Sequence, residues 1–269
     1  MIRAEQISVR LGGAHPVLTD VSATLERGQV VVIVGRNAAG KTTLLRALAA
    51  LVDPWMGTVT WDGRRPGAWT SSERAKRVAY VAQRPTLSAA FSVRETVELG
   101  RYALAAAPAR IRTAIADFGL DAIVDRPYHM LSVGQQQRVA LARAWAQVDP
   151  DGAILLDEPF AAMDLAETRR AAQRVRAHAA AGGLAVVVLH DLHLAAQLAD
   201  TALLIDAGRL VAHGRAGEVL VADRLAAHFG VPFRLDPDGL PEPLLAVRGG
   251  TTVTSSSGGP NADIVQHRP

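Results

Sequence analysis

The stretch VVVIVGRNAAGKT, Val30 to Thr42, decides the fold expected for this chain. Its first five residues, Val30 to Val34, form a continuous apolar run, which is typical of a strand buried in a parallel sheet. The next residues match Gly-x4-Gly-Lys-Thr from Gly35 to Thr42, and helical spacing predicts a helix over Lys41 to Leu51. A glycine-rich turn between a buried strand and a helix is the setting of a phosphate-binding loop.

The residues of this loop predict how a nucleotide would be held. Glycine lets the backbone approach closely, so that successive N–H groups and the helix N-terminus face the phosphates. Lys41 would reach the β- and γ-phosphates, and the Thr42 hydroxyl would ligate Mg²⁺. The predicted phosphate-binding residues are Gly35, Arg36, Asn37, Ala38, Ala39, Gly40, Lys41, Thr42 and Thr43.

Two further apolar runs end in polar residues. Ala153 to Leu156 is followed by Asp157 and Glu158, and Leu184 to Leu189 is followed by His190. Open parallel sheets place their ligands at the carboxyl ends of strands. Asp157 would hold Mg²⁺, and Glu158 would polarise the attacking water as general base. Taken singly, the carboxylates could belong to a solvated loop, and the histidine could be a structural group.

The segments around these strands predict two additions to a parallel α/β core. Short alternating segments over Ile2 to Leu25, with a Gly12-Gly13 turn, and Thr58 to Trp61 predict a small antiparallel sheet. A helix is expected from about Ala166 to Ala180. From about Arg84 to Val148 the pattern is helical and broken by prolines. The expected fold class is α/β, a P-loop core with an N-terminal antiparallel β-subdomain and an inserted α-helical subdomain.

Composition excludes several classes of protein. No apolar run approaches the roughly 20 residues that cross a bilayer, so a membrane role would need a partner. MIRAEQISVRL at the start does not resemble a signal peptide. The chain has no cysteine, hence no disulfide framework, which fits a reducing cytosol. Its net charge is only +3 and its arginines are dispersed, so we expect no nucleic-acid partner.

LSVGQQQR, Leu131 to Arg138, lies between the two phosphate-site motifs. Helical spacing is expected from Gln136 to Gln147, so the N–H groups of Ser132, Gly134 and Gln135 would form an anion site with the helix dipole. An ordinary helix N-cap would explain Ser132, but we expect it to leave the glycine and the glutamine unexplained. In this order, the three motifs resemble those of the ATPase subunit of an ATP-binding cassette (ABC) transporter, with its RecA-like core.

This resemblance implies an assembly and several residue roles. The signature residues of one subunit would complete the ATP site of another, so the active unit would be a dimer holding two ATP molecules. Asp164 in FAAMD matches the aspartate of the D-loop, which passes between subunits. His190 matches the switch histidine that contacts the γ-phosphate. Gln83 matches the Q-loop glutamine that touches Mg²⁺ and the attacking water, although it could simply be a hinge amide. His193 is expected to be an exposed surface side chain.

The chain departs from the family pattern at four positions. Val133 replaces the first glycine of LSGGQ, and because β-branched residues avoid positive φ it should have an ordinary backbone conformation. Ala38 and Arg36 replace the usual glycine and proline, at positions that tolerate change. Leu11 falls where the family has an aromatic residue that stacks on adenine. We therefore expect weaker and less base-selective binding, unless Arg10 or His15 substitutes.

Three other segments narrow the resemblance to importers of iron–siderophore complexes, haem and cobalamin: VRETVELGRY, LHDLHLAAQLAD and GRLVAHGRAGEVL. It covers residues 1–233, with a helical insertion at about 84–148, and leaves 234–269 as an extension whose end we expect to be disordered.

The importer resemblance implies three partners. These are a second ABC ATPase subunit, most simply another copy, a transmembrane permease contacted near Phe91 and Thr86 to Ala90, and, indirectly, an extracellular solute-binding protein. The chain would then lie at the cytoplasmic face of the membrane. Three alternatives stay open: import of another solute, a soluble ABC ATPase, and a nucleotide-binding regulator that does not hydrolyse.

Overall fold

The structure, a computed structural model, describes residues 1–13, 15–85, 87 and 90–244. In chain order its strands and helices are β1 (Ile2–Val9), β2 (Leu18–Leu25), β3 (Gln29–Val34), α1 (Lys41–Leu48), β4 (Met56–Trp61), α2 (Ser71–Arg77), β5 (Val78–Val81), α3 (Val93–Glu98), α4 (Pro108–Asp117), α5 (Val133–Gln147), β6 (Ala153–Asp157), α6 (Leu165–Ala180), β7 (Leu184–Val188), α7 (Leu192–Leu198), β8 (Thr201–Asp206), β9 (Arg209–Arg215), α8 (Ala216–Val219), α9 (Ala222–Phe229), β10 (Phe233–Leu235) and β11 (Pro241–Pro243).

The N-terminal strands form the small antiparallel sheet that the sequence predicts. Its order is β2-β1-β4, and Ile2 at the start of β1 lies opposite Leu25 on one side and Trp61 on the other. Alternation along β1 and β2 turns one face of this sheet inward, so that Ile7 and Leu18 are fully buried. The antiparallel subdomain is therefore confirmed.

The central sheet has six strands in the order β5-β6-β7-β3-β8-β9. All neighbouring pairs are parallel except β8 with β9, which form an antiparallel hairpin at the edge. Nearly every residue of β3, β6 and β7 is buried, because side chains from both faces pack into two hydrophobic clusters. This sheet brings the carboxyl ends of β3, β6 and β7 to one edge, where the predicted site residues follow.

The inserted segment between β5 and β6 is helical, as predicted. Helices α3, α4 and α5 pack together around buried apolar side chains that include Phe118 and Leu141. A close approach occurs at Gly100, where a Cβ atom would lie only 2.4 Å from the carbonyl oxygen of Arg143 in α5. The expected fold class, a P-loop core with these two additions, is confirmed.

Beyond the core, the chain continues in a short hairpin. Helix α9 ends at Gly230, whose φ is 73°, and β10 then pairs antiparallel with β11. The His193 side chain of α7 is 44% exposed, as expected of a surface residue, and its Nδ1 lies 3.6 Å from Asp236 Oδ2, in the turn between these strands. The rest of the predicted extension, 245–269, and the permease contacts expected at Thr86, Ser88 and Ala89 lie outside the described residues. Among the described residues, no helix has the length and apolar character of a membrane span.

Candidate active site

The loop from Gly35 to Gly40 is shaped by close contacts that only glycine permits. Gly35 has a φ of 152°, and a Cβ atom there would lie 2.1 Å from the carbonyl oxygen of Ile205 in β8. Gly40 has a φ of 103°, and its Cβ would lie 2.7 Å from Leu18 Cδ2. The sheet and the N-terminal subdomain therefore hold the loop from both sides. Ala38 also has a positive φ, 61°, so this position is strained and not simply tolerant.

Lys41 is the first residue of α1, directly after the loop, and is almost completely buried. Its Nζ donates hydrogen bonds to the carbonyl oxygens of Gly35, at 2.8 Å, and Arg36, at 2.9 Å. Burial lowers the pKa of Lys41, while the negative charges of Glu158 and Asp157 act in the opposite direction. Phosphate oxygens could take over the hydrogen bonds that these two carbonyls accept.

Asp157 at the end of β6 is 1% exposed, and its oxygens accept two hydrogen bonds. Thr42 Oγ1 donates at 3.1 Å, and the hydroxyl of Tyr80 in β5 donates at 3.4 Å. Burial, the largest effect, raises the pKa of Asp157, and the charge of Glu158 raises it further. No sequence pattern predicts Tyr80 at this site, because its position depends on β5 pairing beside β6.

These oxygen ligands fit Mg²⁺. A carboxylate and a hydroxyl held side by side are the hard ligands that this ion prefers. Within the described ranges no group of three or more His, Cys, Asp or Glu side chains could hold a metal alone. Mg²⁺ is usually bound by one or two protein oxygens together with substrate phosphates and water.

Glu158 is held between the predicted Gln83 and His190. Gln83 Nε2 donates to Glu158 Oε2 at 2.6 Å, and His190 Nε2 lies 2.5 Å from Glu158 Oε1. The backbone of Glu158 is left-handed, with a φ of 47°. These three side chains and the part of the loop from Asn37 onward line one cavity of about 640 Å³, and Gly35 and Arg36 lie outside its lining. The lining residues are Val17, Asn37, Ala38, Ala39, Gly40, Lys41, Thr42, Thr43, Gln83, Glu158 and His190.

The signature residues lie outside the set that lines this cavity. Ser132 caps α5, which begins at Val133 and not at Gln136, and Gln135 completes a capping box with it. Gly134 packs so closely that a Cβ atom would lie 2.4 Å from the carbonyl oxygen of Ala162. The N-cap thus explains the glutamine, and packing explains the glycine, contrary to our expectation. Val133, 61% exposed, has an ordinary helical backbone as expected.

Asp164 also caps a helix, since the N–H of Glu167 donates to its Oδ1 at 2.8 Å. Among the residues considered for adenine, Leu11 is 48% exposed, and the guanidinium of Arg10 stacks on Trp55 at 3.9 Å from the ring centre. His15 is exposed. None of these three lines the cavity, to which the N-terminal subdomain contributes Val17 instead.

The fold and this site define a phosphate-loop nucleotide-binding protein, and comparisons narrow the class. A family model described as ABC transporter matches residues 18–161. The chain is 41% identical over 240 residues to the hemin import ATP-binding protein HmuV of Rhodococcus jostii (strain RHA1), covering 87% of this chain and 81% of that protein. The protein of the same name from Streptomyces coelicolor is 40% identical over 252 residues, covering 90% and 87%.

A solved dimeric structure of a bacterial ABC transporter cassette, MJ0796, superposes with a TM-score of 0.73 at 24% identity, covering 80% of this chain and 99% of that one. At this identity the similarity shows the fold alone. The family match and the two relatives assign the chain to a family. It belongs to the ABC transporter family, as an ATP-binding, ATP-hydrolysing subunit.

Proposed function

We propose that this chain hydrolyses ATP to energise the import of a metal chelate, hemin, through a separate permease. The observation that carries the proposal is the placement of Glu158 between Gln83 and His190, beside the phosphate loop. The choice of hemin is supported by the printed names of two relatives that are 41% and 40% identical over most of the chain.

In this proposal the triphosphate of ATP lies along Gly35 to Thr43, and Lys41 neutralises charge on its β- and γ-phosphates. Thr42 and Asp157, with Gln83 nearby, would hold Mg²⁺, which would supply positive charge against the phosphate oxygens. Glu158 accepts a proton from the attacking water. Gln83 and His190 orient the Glu158 carboxylate for this step. His190 then faces the γ-phosphate from the end of β7.

A second subunit completes each site in the proposed assembly. Ser132, Gly134, Gln135 and Asp164 stand at two helix N-termini, outside the set of residues that lines the cavity around Lys41. Helix N-termini attract anions, so these residues suit the nucleotide of a neighbouring copy better than their own. The proposed active unit is therefore a homodimer with two ATP molecules between its subunits.

The proposed location is the cytoplasmic face of the membrane, where the permease would bind the helical insertion. Leu87, Ala90 and Phe91, which precede α3, are the described residues of the predicted contact. Tyr102, 90% exposed on the same insertion, offers a large side chain for such a contact. The extracellular solute-binding protein would deliver its ligand to the permease and would not touch this chain.

The catalytic assignment is tested by Glu158→Gln. Loss of the general base should lower ATP turnover by about 10²- to 10⁴-fold, while ATP affinity stays near the parental value. Glu98→Gln, on the helical insertion, is the control and should keep parental turnover. Turnover that survives Glu158→Gln within threefold would remove Glu158 from the mechanism, and a parent without turnover would favour a nucleotide-binding regulator.

The cargo is tested by purifying the membrane complex of the Glu158→Gln chain and identifying its bound ligand. Haem has a strong visible absorption band, so the complex of a hemin importer that carries Glu158→Gln should contain haem. The complex of the parental chain, which turns over ATP, should lose its haem when ATP is added. A permease that copurifies with a different solute would contradict the choice of hemin and leave the ATPase assignment intact. A cytosolic complex without any permease would favour a soluble ABC ATPase.

A further inference from the structure

Arg138 in α5 joins three helices. Its Nη1 donates to the carbonyl oxygens of Phe118 and Gly119, both at 3.1 Å, where α4 ends. Its Nη2 lies 2.8 Å from Glu167 Oε1 in the first turn of α6, and the Arg138 side chain is only 14% exposed. A guanidinium suits this position because it is always charged and presents several donors in a rigid fork.

The same ion pair connects two segments that the proposed dimer requires. Gly134, four residues before Arg138, lies on the same face of α5 and packs against the carbonyl oxygen of Ala162. Glu167 donates its backbone N–H to the side chain of Asp164 at 2.8 Å. Contacts at successive turns of α5 therefore reach the segment before α6 and the first turn of α6.

We propose that the Arg138–Glu167 pair is a clasp that fixes the signature end of α5 relative to Asp164. The two segments then meet the partner subunit's nucleotide as one rigid unit. This inference rests on the proposed function, since it assumes that both segments act across a dimer interface. Arg138 and Glu167 are positioning residues, because neither lines the nucleotide cavity of its own chain.

A matched control lies on the same helix. Arg174 of α6 pairs with Asp117 of α4 at 2.8 Å, so it links α6 to the helical insertion without involving α5. If the ion pairs between α6 and the helical insertion matter only for stability, removing either pair should have the same effect on dimer formation. If the clasp positions the signature, only the Arg138–Glu167 pair should influence dimer formation.

The experiment uses full-length chains with Glu158→Gln, so that bound ATP persists, and sedimentation measures the dimer dissociation constant in ATP. Glu167→Gln and Arg138→Gln should each raise that constant by about tenfold, and the double variant should be no weaker than either single one. ATP affinity measured on the monomer should stay unchanged, because the phosphate loop is untouched. Arg174→Gln should keep the parental dimer constant.

Two results would overturn the clasp. One is a dimer constant for Glu167→Gln equal to that of Arg174→Gln, and this near-isosteric variant decides the matter even if Arg138→Gln fails to fold. The other is a Glu158→Gln parent that binds ATP yet stays monomeric. That second result would refute the proposed dimer itself, and it is seen before any clasp variant is made, so the two failures are distinguishable.

Discussion

Ala38 in the phosphate loop has a φ of 61°, a left-handed conformation that costs an alanine about 1–2 kcal/mol. Ala38→Gly should remove this strain, although glycine gains about 0.4–1 kcal/mol of entropy in the unfolded chain. We expect a net rise of about 0.5–1 kcal/mol in the free energy of unfolding, measured by urea titration.

The neighbouring Ala39→Gly serves as the control. Ala39 is buried and does not have a positive φ, so the same substitution there should lower the free energy of unfolding by about 1–2 kcal/mol. Equal destabilisation by both variants would show that Ala38 is not strained in solution.

Asp157 is a buried carboxylate whose pKa is raised, chiefly by burial. The stability that such a group contributes is complete below its unfolded pKa, about 3.9, and is lost as pH rises through the folded pKa. At pH 7 the charged carboxylate therefore costs stability in the nucleotide-free protein. Asp157→Asn should raise the free energy of unfolding at pH 7, by on the order of 1 kcal/mol, and the gain should vanish near pH 3.

Asp151→Asn is the matched control, because its effect on the free energy of unfolding at pH 7 should have the opposite sign. Its hydrogen bond with Arg27 lowers the pKa of Asp151, so its contribution is present at neutral pH and is lost as pH falls. The control should therefore destabilise the protein slightly at pH 7 and have no effect at acid pH. Destabilisation by Asp157→Asn at pH 7 would mean that the hydrogen bonds from Thr42 and Tyr80 outweigh the cost of burial.

At the scale of elements, the long apolar runs and regular helices could be predicted closely. Helix α6, expected from Ala166 to Ala180, begins one residue earlier, at Leu165. Helix α1 ends at Leu48 and not at Leu51, because Ala50 adopts a left-handed φ of 55°. Such a turn does not change the spacing of apolar residues, so the predicted helix extends beyond the true end.

The sequence pattern does not predict strands β5, β8 and β9. For the hairpin of β8 and β9, the reason lies in its turn. The turn between β8 and β9 is Ala207-Gly208, and both residues have positive φ. Asparagine or aspartate at the first position would have indicated such a hairpin, whereas alanine hides it. Tyr80 is not predicted because β5 is not. Glu158 and His190 are predicted because each follows an apolar run that ends at one sheet edge, whereas Gln83 is predicted only by its resemblance to the Q-loop glutamine.

At the scale of the whole molecule, two exposed apolar side chains stand at the elements joined by the clasp. Val133 begins α5 and is 61% exposed, and Leu165 begins α6 and is 87% exposed. Exposed apolar side chains beside helix N-termini suit a surface that a partner covers. In the proposed dimer, Val133 would stand between the signature backbone and the nucleotide of the other subunit, at a position where the family pattern has a glycine.

Val133→Gly should consequently raise ATP turnover of the dimer by about two- to fivefold, or ~0.5–1 kcal/mol of transition-state stabilisation, because the backbone N–H groups can approach the γ-phosphate more closely. The same change should lower monomer stability by up to about 1 kcal/mol, since glycine is a poor helix former. Activity and stability thus move in opposite directions.

Val133→Ala, which keeps helix propensity and removes only the branched side chain, should give intermediate turnover at undiminished stability. Steady-state ATPase assays at saturating ATP, beside urea unfolding of each variant, measure both quantities. Equal turnover in all three proteins would show that Val133 does not limit the shared site.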